Sequence, residues 1–330
     1  MIRNAMWLAA VGLAIGAAIP AAQSPAGSLI VLNKEEATLV IVDPSSGKVL
    51  GRVPTGEGPH EVAVSADGKT AFVGNYGGQT PGSTISVIDL AARKELRRVD
   101  LGPLRRPHGI AVADSKVYFT AEMNRLVARY DPAANAVDWL LGTGQGATHM
   151  VWVNPDATKM FTANIASDSI TFIERGQNPL AWNTTVVPVG KGPEGFDLTA
   201  DGRELWAAHS RGGGVSVIDV AAKKVTQTID IGTKRSNRLK LTHDGRLALV
   251  SDLDAGELVV IDVPSKKVTK RMPLGKMPEG ILLDPDGSRA FVAVNGDDHI
   301  AVIDLKTLTV TSKISTGDGP DGMAWTGTAR

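Results

Sequence analysis

The feature that most constrains the fold is a segment that recurs seven times at intervals of 41 to 48 residues. Each copy begins a short alternating strand, such as EVAVS at 61–65 or GFDLT at 195–199. We call the residue just before this strand the slot, and it is occupied by His60, His108, His149, Glu194, Asn237, Glu279 and Asp321. A period of this length, built from short strands, is typical of the four-stranded blades of a propeller.

The remainder of each repeat has the elements that a blade needs. Asp-Gly pairs at 67–68, 201–202, 244–245 and 286–287 supply the positive φ of a tight hairpin. A third strand ends in an acid, for which we expect a structural role, because Asp at a turn accepts hydrogen bonds from nearby backbone amides. A fourth, more polar strand closes the repeat. The sequence therefore predicts an all-β fold, a seven-bladed β-propeller of four-stranded antiparallel blades.

The first and the last repeats are each incomplete, and together they supply the four strands of one blade. Only one strand follows the Asp321 slot, whereas residues 28–54 supply three strands with no inner strand before them. We expect these segments to form one shared blade, so that the N-terminal strands pair with the C-terminal strand and close the ring. Closure removes the exposed sheet edges that an open repeat would leave. Residues 28–330 are thus predicted to form a single domain.

The N-terminal segment and the composition indicate where the protein is located and which classes of partner it has. Residues 1–26 have a basic start at Arg3, an apolar run at 6–19 and small residues after it, the pattern of a cleaved signal peptide. We therefore expect a periplasmic or secreted protein with no membrane span in the mature chain, working as a monomer. Lys+Arg and Asp+Glu both number 35, which gives no nucleic-acid signal, and the absence of cysteine excludes disulfides and covalent haem.

Several second strands end in a recurring pattern: AFVGN at 71–75, FTANI at 161–165 and IVLN at 30–33. These repeats resemble the YVTN family of β-propellers over residues 28–330. The resemblance implies a seven-bladed propeller. It implies less about function, because related propellers include lactonase-like enzymes, streptogramin lyase-like proteins, haem d1-binding domains and surface-layer modules.

The start of the inner strand and the end of the second strand should share one rim of the disc. The predicted rim pairs are His60 with Asn75, His108 with Glu122, His149 with Asn164, Glu194 with His209, Asn237 with Asp252, Glu279 with Val294 beside Asn295, and Asp321 with Asn33. Of these, we expect Asn75, Glu122, Asn164, Glu279 and Asp321 to bind a ligand. Nearly every member is a hydrogen-bonding or metal-binding type.

Four histidines fall in these two columns: His60, His108, His149 and His209. The first three occupy consecutive blades, and imidazoles converging on an axis favour zinc or copper. Glu194, next around the ring, is predicted to be the catalytic base acting on metal-bound water, or a fourth ligand. Two alternatives stay open: a metal-free organic ligand, or histidines that only hydrate the mouth or bond the Gly-Pro loops.

Basic residues crowd the loops that enter the inner strands. Arg106 and Arg235 are expected to orient an anionic ligand such as a carboxylate or phosphate. Blade one also carries an inserted loop, NYGGQTPGST at 75–84, which contains three glycines and Tyr76. This loop could cover the site or be a surface insertion.

These observations lead to one functional expectation and two alternatives. We expect an exported propeller that binds a small ligand or a metal at the mouth of its central channel. Whether it turns that ligand over stays open, and the enzyme hypothesis is a metal-assisted hydrolase or lyase that acts on an anionic or lactone-like substrate. The first alternative is a non-enzymatic scaffold or protein-interaction module of the cell envelope. The second is a propeller that binds a haem-like cofactor non-covalently.

Overall fold

Seven four-stranded sheets account for nearly all of the regular structure. The structure is a computed structural model, and it describes residues 27–178 and 180–327. Each sheet is antiparallel. In six of the sheets the strands follow one another in chain order from the axis outward, and in the closing blade the last strand of the chain takes the innermost place. Three short 3-10 helices lie at Glu122–Asn124, Ile165–Ser167 and Asn295–Asp297. The predicted all-β, seven-bladed architecture is confirmed.

The strands are numbered in chain order and grouped by blade. The closing blade takes β1 Leu29–Asn33, β2 Thr38–Val42, β3 Val49–Pro54 and, from the other end of the chain, β28 Pro320–Trp325. Blade one consists of β4 Pro59–Val64, β5 Thr70–Gly77, β6 Pro81–Asp89 and β7 Lys94–Asp100. Blade two consists of β8 Pro107–Ala113, β9 Lys116–Ala121, β10 Leu126–Asp131 and β11 Ala136–Gly142. Blade three consists of β12 Thr148–Val153, β13 Lys159–Asn164, β14 Ser169–Arg175 and β15 Trp182–Pro188. Blade four consists of β16 Pro193–Leu198, β17 Glu204–His209, β18 Gly214–Asp219 and β19 Lys224–Asp230. Blade five consists of β20 Ser236–Leu241, β21 Leu247–Asp252, β22 Glu257–Asp262 and β23 Lys267–Pro273. Blade six consists of β24 Pro278–Leu283, β25 Arg289–Val294, β26 His299–Asp304 and β27 Thr309–Ile314.

The hairpin turns form where the Asp-Gly pairs predict them. In blade one, Gly68 has a φ of +71°, a conformation that costs glycine little because it lacks a Cβ. The Asp67 carboxylate accepts hydrogen bonds from the Ser65 hydroxyl at 2.6 Å and the Lys69 amide at 3.1 Å. The turn therefore fixes where β4 ends and β5 begins, and with it the position of the inner strand.

Most members of the predicted acidic column have the expected structural role. In six blades the carboxylate accepts a hydrogen bond from a backbone amide two or three residues ahead; these acids are Asp43, Asp89, Asp131, Asp219, Asp262 and Asp304. Glu174 differs, because its longer side chain forms ion pairs with Lys223 and Lys159 instead.

The core consists of apolar layers between neighbouring blades. Side chains from the middle strands of one blade pack against the inner strands of the next, as Trp206 of blade four does against Leu239 and Val250 of blade five. Comparable clusters lie at the other interfaces around the ring. Because every blade relies on both neighbours for burial, closing the ring buries the apolar faces that the first and last blades would otherwise expose.

Ring closure is achieved as the sequence predicts. β28 pairs with β1 in antiparallel register, with Leu29 opposite Trp325 and Val31 opposite Met323. The Trp325 indole donates a 2.7 Å hydrogen bond to the Leu283 carbonyl of blade six. The C-terminal strand therefore joins the first strands of the chain to the last complete blade.

The predicted signal peptide at residues 1–26 lies outside the described residues. Within the described part of the chain, no helix is both long enough and apolar enough to cross a bilayer.

Candidate functional site

The slot residues reach the axis because each inner strand is irregular at its start. In blade one the β4–β5 register shifts between Pro59 and Glu61, and the inner strands of the other complete blades shift at the same place. Such a bulge re-aims one side chain and commonly lies beside functional sites. The residue before the slot pairs with the second strand, so the slot side chain itself is left facing the channel.

The inner strands also approach one another closely at the next position. Glycine follows four of the slots, and a Cβ at Gly322 would lie 2.1 Å from the His60 carbonyl oxygen. A Cβ at Gly109 would lie 2.6 Å from the His149 carbonyl oxygen. Glycine at these positions lets neighbouring strands meet near the axis, which brings their slot residues together.

All seven slot residues line one cavity at the mouth of the channel. Its volume is about 860 Å³, which accommodates a small organic molecule. His108, His149, Glu194, Asn237, Glu279 and Asp321 are buried, and His60 is partly buried. The structure thus gathers residues that are up to 261 positions apart in sequence, from His60 to Asp321, around a single opening.

A second set of cavity residues lies one position beyond the residue that pairs with the pre-slot residue, in six of the seven blades. These residues are Lys34, Tyr76, Glu122, Ile165, Ser210 and Leu253. Glu122 is the one member of this set among the predicted ligand-binding residues. Sequence reasoning missed Lys34, Ile165, Ser210 and Leu253, and it took Tyr76 only as part of a covering loop. The available signal was the two-residue alternation of side chains along a strand.

Asn75, Asn164 and His209 are not brought to the cavity. They lie directly opposite the residue before the slot, so their side chains face into their own blades. Asn75 accepts from the Gly56 amide and donates to Thr84 and Ser86. Asn164 is enclosed by the hydroxyls of its own blade, and His209 Nε2 lies 2.9 Å from the Ser216 hydroxyl. These contacts serve the blade rather than the channel.

The three cavity histidines and their neighbours form what we call the histidine half, which consists of His60, Tyr76, His108, Glu122 and His149. The His108 and His149 rings stack with centroids 3.6 Å apart, and His60 meets His108 edge-on at 5.3 Å. Burial lowers the pKa of His60 to about 4. Burial and the neighbouring His149 hold the pKa of His108 well below its usual value.

Glu122 organises the histidine half. One of its carboxylate oxygens accepts a 2.9 Å hydrogen bond from His149 Nδ1, and the Tyr76 hydroxyl donates to the same carboxylate at 3.1 Å. Burial opposes ionisation of Glu122, but these hydrogen bonds and the Arg106 charge outweigh it, so its pKa lies below the usual value. Burial and the Glu122 charge raise the pKa of Tyr76 to about 12, so the phenol keeps its proton.

The opposite side of the cavity, which we call the ion-pair half, consists of Lys34, Glu194, Asn237, Arg238, Glu279 and Asp321. Lys34 Nζ lies 2.6 Å from Glu279 Oε2 and 3.4 Å from Asp321 Oδ2. Burial and the Asp321 charge raise the pKa of Glu279 to about 8. Burial disfavours the charged form of Asp321 as well, but Lys34 and Arg238 outweigh it and lower its pKa. One proton is therefore shared unequally between the two carboxyl groups, with Glu279 the neutral partner near pH 7.

Arg238 crosses the axis beneath the slot residues. It follows the Asn237 slot in blade five, and its guanidinium donates to the Glu61 carboxylate in blade one. It also donates to Asn237 Oδ1 at 3.2 Å and lies 3.7 Å from Glu194 Oε1. A buried guanidinium with two carboxylates is compensated for the loss of water, and this bond joins blades on opposite sides of the ring.

The two predicted orienting arginines have different positions. Arg235 is exposed and lines the cavity together with Lys234. Arg106 instead lies over the Tyr76 ring at 4.5 Å and donates to the Gly78 carbonyl, so it supports the inserted loop. The loop therefore contributes a tyrosine to the cavity and is held by a cation–π contact.

The stacking of two histidine rings bears on the predicted metal. Ring nitrogens bind metal along directions that lie in the ring plane. The His108 and His149 rings are stacked with an interplanar angle of 29°, so their planes lie nearly parallel. Among the described residues, no group of three or more His, Cys, Asp or Glu side chains is arranged to hold a metal ion. The zinc or copper ion stays a prediction.

The fold and the axial cavity define this protein as a seven-bladed β-propeller with a polar site at one mouth of its channel. The chain belongs to the YNCE-like beta-propeller family, whose model matches residues 2–322. Among curated proteins, none matches the sequence.

Solved structures with the same fold include several propellers of different activity. The periplasmic gluconolactonase PpgL of Pseudomonas aeruginosa is 19% identical, with a TM-score of 0.73 over 92% of this chain and 99% of that one. Hydrazine synthase of Kuenenia stuttgartiensis is 17% identical, with a TM-score of 0.73 over 89% and 99%. The dihydro-haem d1 dehydrogenase NirN is 16% identical, with a TM-score of 0.66 over 93% and 76%. These similarities confirm the predicted resemblance to lactonase-like and haem d1-like propellers at the level of the fold.

Proposed function

We propose that this protein binds a small anionic organic molecule in the mouth cavity and hydrolyses a lactone or ester bond in it. The observation that carries the proposal is a set of buried polar atoms on residues that line the cavity. His108 Nδ1, His149 Nε2 and Asp321 Oδ1 have no hydrogen-bond partner among the described residues. Folded proteins pair nearly all of their buried polar atoms, so three such atoms around one cavity favour a ligand that supplies the partners.

The charge of the cavity favours an anion. Five cationic side chains and five carboxyl groups line it, and the cations are Lys34, Arg211, Lys234, Arg235 and Arg238. Arg238 is compensated by Glu61 and Lys34 by Asp321, so the positive charge at the opening comes from the residues nearest to solvent. Lys234 and Arg235 are exposed at the opening, where positive charge attracts an anionic ligand from solution.

The reaction class is supported by chemistry and by analogy of fold. A carboxylate-bound imidazole beside a second carboxylate is a set of groups suited to moving protons during hydrolysis. PpgL, which shares the fold, is named a gluconolactonase. Sugar lactones and their open-chain acids are accordingly the first compounds to test.

Binding is measured by isothermal titration calorimetry with gluconate, and hydrolysis by pH-stat with D-glucono-1,5-lactone, as the rate above the spontaneous reaction. We expect binding of gluconate that weakens at least about 10-fold in Lys34→Met, because this change removes a partly buried cation from the cavity. The matched control is Lys69→Met, an exposed lysine in a turn at the opposite end of β4.

Metal content of protein purified without an affinity tag tests the zinc or copper that the sequence predicts. If neither gluconate nor the lactone binds, or if Lys34→Met behaves as Lys69→Met does, the proposal is wrong. A scaffold of the cell envelope would then be the better interpretation.

A further inference from the structure

The Glu122–His149 contact fixes which nitrogen of His149 carries a proton. The Glu122 carboxyl group faces two potential donors, the Tyr76 hydroxyl at 3.1 Å and His149 Nδ1 at 2.9 Å, and hydrogen bonds to a carboxylate favour its ionised form. An ionised carboxylate only accepts hydrogen bonds, so His149 Nδ1 must be the donor across the 2.9 Å contact. In the neutral imidazole, Nε2 then carries a lone pair. It is buried, and it has no hydrogen-bond partner in the described part of the chain.

A second acceptor faces the same space. Glu194 Oε1 lies 3.9 Å from His149 Nε2, which is too long for a direct hydrogen bond. Its position is fixed by the Asn237 side-chain amide, which donates to it at 2.7 Å. An oxygen atom about 2.8 Å from both His149 Nε2 and Glu194 Oε1 is compatible with this separation. A water there would donate one proton to each acceptor and keep its lone pairs free for attack.

We propose that His149 is a metal-independent general base that deprotonates a water held between His149 Nε2 and Glu194 Oε1, with Glu122 and Tyr76 as positioning residues. The substrate class is a lactone or ester, so this inference rests on the function proposed above. It departs from the role expected for these residues in sequence, where His149 is a metal ligand and Glu194 the base.

The step balances without any further reagent. As the water oxygen bonds to the acyl carbon, one water proton passes to His149 Nε2 and the carbonyl π electrons move to the oxygen. The Arg238 guanidinium, 3.7 Å from Glu194 Oε1, supplies positive charge on this side of the cavity. When the tetrahedral intermediate collapses, the acyl–oxygen bond breaks and the imidazolium returns its proton to the leaving alkoxide. The net change is one water added, which yields a hydroxy acid from a lactone and an acid plus an alcohol from an open-chain ester.

The variants that test the base are His149→Gln and Glu122→Gln, assayed with D-glucono-1,5-lactone and with p-nitrophenyl acetate. We expect kcat to fall by at least about 10²-fold in His149→Gln, the scale of general base catalysis. Glu122→Gln should also lower kcat with KM little changed, because Gln can donate to Nδ1 and favour the wrong tautomer of His149. Lys69→Met should retain the kcat of the unmodified protein, as should protein dialysed against EDTA.

A readout that needs no substrate accompanies the kinetics. In ¹⁵N-detected NMR of labelled full-length protein, His149 should show a proton on Nδ1 and none on Nε2, and Glu122→Gln should shift this balance. The proposal is overturned if the proton lies on Nε2, if EDTA abolishes hydrolysis, if His149→Gln hydrolyses as fast as the unmodified protein, or if neither ester is hydrolysed. Titration with gluconate separately decides the binding function, so the two failures are distinguishable.

Discussion

The two halves of the cavity treat charge in opposite ways. In the histidine half, burial keeps the His60 and His108 rings neutral, and the carboxylate of Glu122 accepts hydrogen bonds from Tyr76 and His149. In the ion-pair half, the partly buried Lys34 is compensated by Asp321 and the buried Arg238 by Glu61. One cavity therefore combines groups able to accept a proton with groups that hold a charge, because different blades supply them.

The largest expected effect comes from removing the cation that crosses the axis. Arg238→Met leaves the buried Glu61 and Glu194 carboxylates without their guanidinium, which should lower the free energy of unfolding by about 3–5 kcal/mol. Guanidinium chloride denaturation measures the change. Arg235→Met is the matched control, since this exposed arginine on the same blade should alter stability by less than about 0.5 kcal/mol. Equal effects of the two variants would show that Arg238 is not a structural ion.

Within the ion-pair half, lysine and glutamate should not be equivalent. Lys34→Met removes the partner of Asp321 and Glu279 and should cost about 2 kcal/mol. Glu279→Gln should cost less than about 1 kcal/mol, because the raised pKa already makes Glu279 resemble a neutral amide near pH 7. The same denaturation assay compares them. A Glu279→Gln variant less stable than Lys34→Met would mean that Glu279 is charged in the native protein.

The halves should also lose stability at opposite ends of the pH range. His60 has a native pKa of about 4 against 6.5 when exposed, so the unfolded chain binds protons first and stability falls as the pH drops from 6.5 to 4. We expect the free energy of unfolding to fall by on the order of 2 kcal/mol over this range. The melting temperature measured as a function of pH reports this change. Glu279, whose pKa is raised to about 8, contributes stability that is present below pH 4.5 and is lost as the pH rises through 8.

Single variants separate the loss of stability at acid pH from the loss at alkaline pH. His60→Gln should make the loss of stability at acid pH smaller and leave the alkaline loss in place, because His108, whose pKa is also lowered, still contributes. Glu279→Gln should do the reverse. Parallel profiles for both variants would mean that neither group is responsible.

The smallest effect is expected from one hydroxyl in the histidine half. Tyr76→Phe keeps the ring contacts with His60, His108 and Arg106 and removes the hydrogen bond to Glu122. The expected cost is about 1 kcal/mol in chemical denaturation, typical of one hydrogen bond. An unchanged or increased stability would argue that Glu122 does not depend on Tyr76.

The period of the sequence predicts the fold and the slot ring because both follow from simple counting. A repeat near 42 residues specifies blades, and one equivalent position per blade must meet at the axis. His108 and Asp321 could therefore be assigned to one opening without knowing any side-chain conformation. The ring closure between residues 28–54 and the last strand follows from the same count.

The second set of cavity residues could not be assigned as directly, because side chains alternate along a strand. An error of one residue moves a side chain from the channel to the interior of the blade, which is why Asn75 and His209 lie away from the cavity while Tyr76 and Lys34 line it. The bulge at each slot changes the register there, and a bulge is not visible in a hydrophobic pattern.

The contact between Glu61 and Arg238 has a signal in the sequence, at the position that follows the slot. Glycine follows the slot in four blades, and the exceptions include Glu61 and Arg238, which carry opposite charges. Their pairing depends on blades one and five facing each other across the ring. Likewise, the stacking of His108 on His149 depends on side-chain rotation, which residue spacing does not determine.

The salt link from Arg238 to Glu61 has a mechanical consequence. It joins the inner strands of blades one and five, which belong to different sheets on opposite sides of the ring. Any widening of the channel mouth between these two blades must therefore break this ion pair.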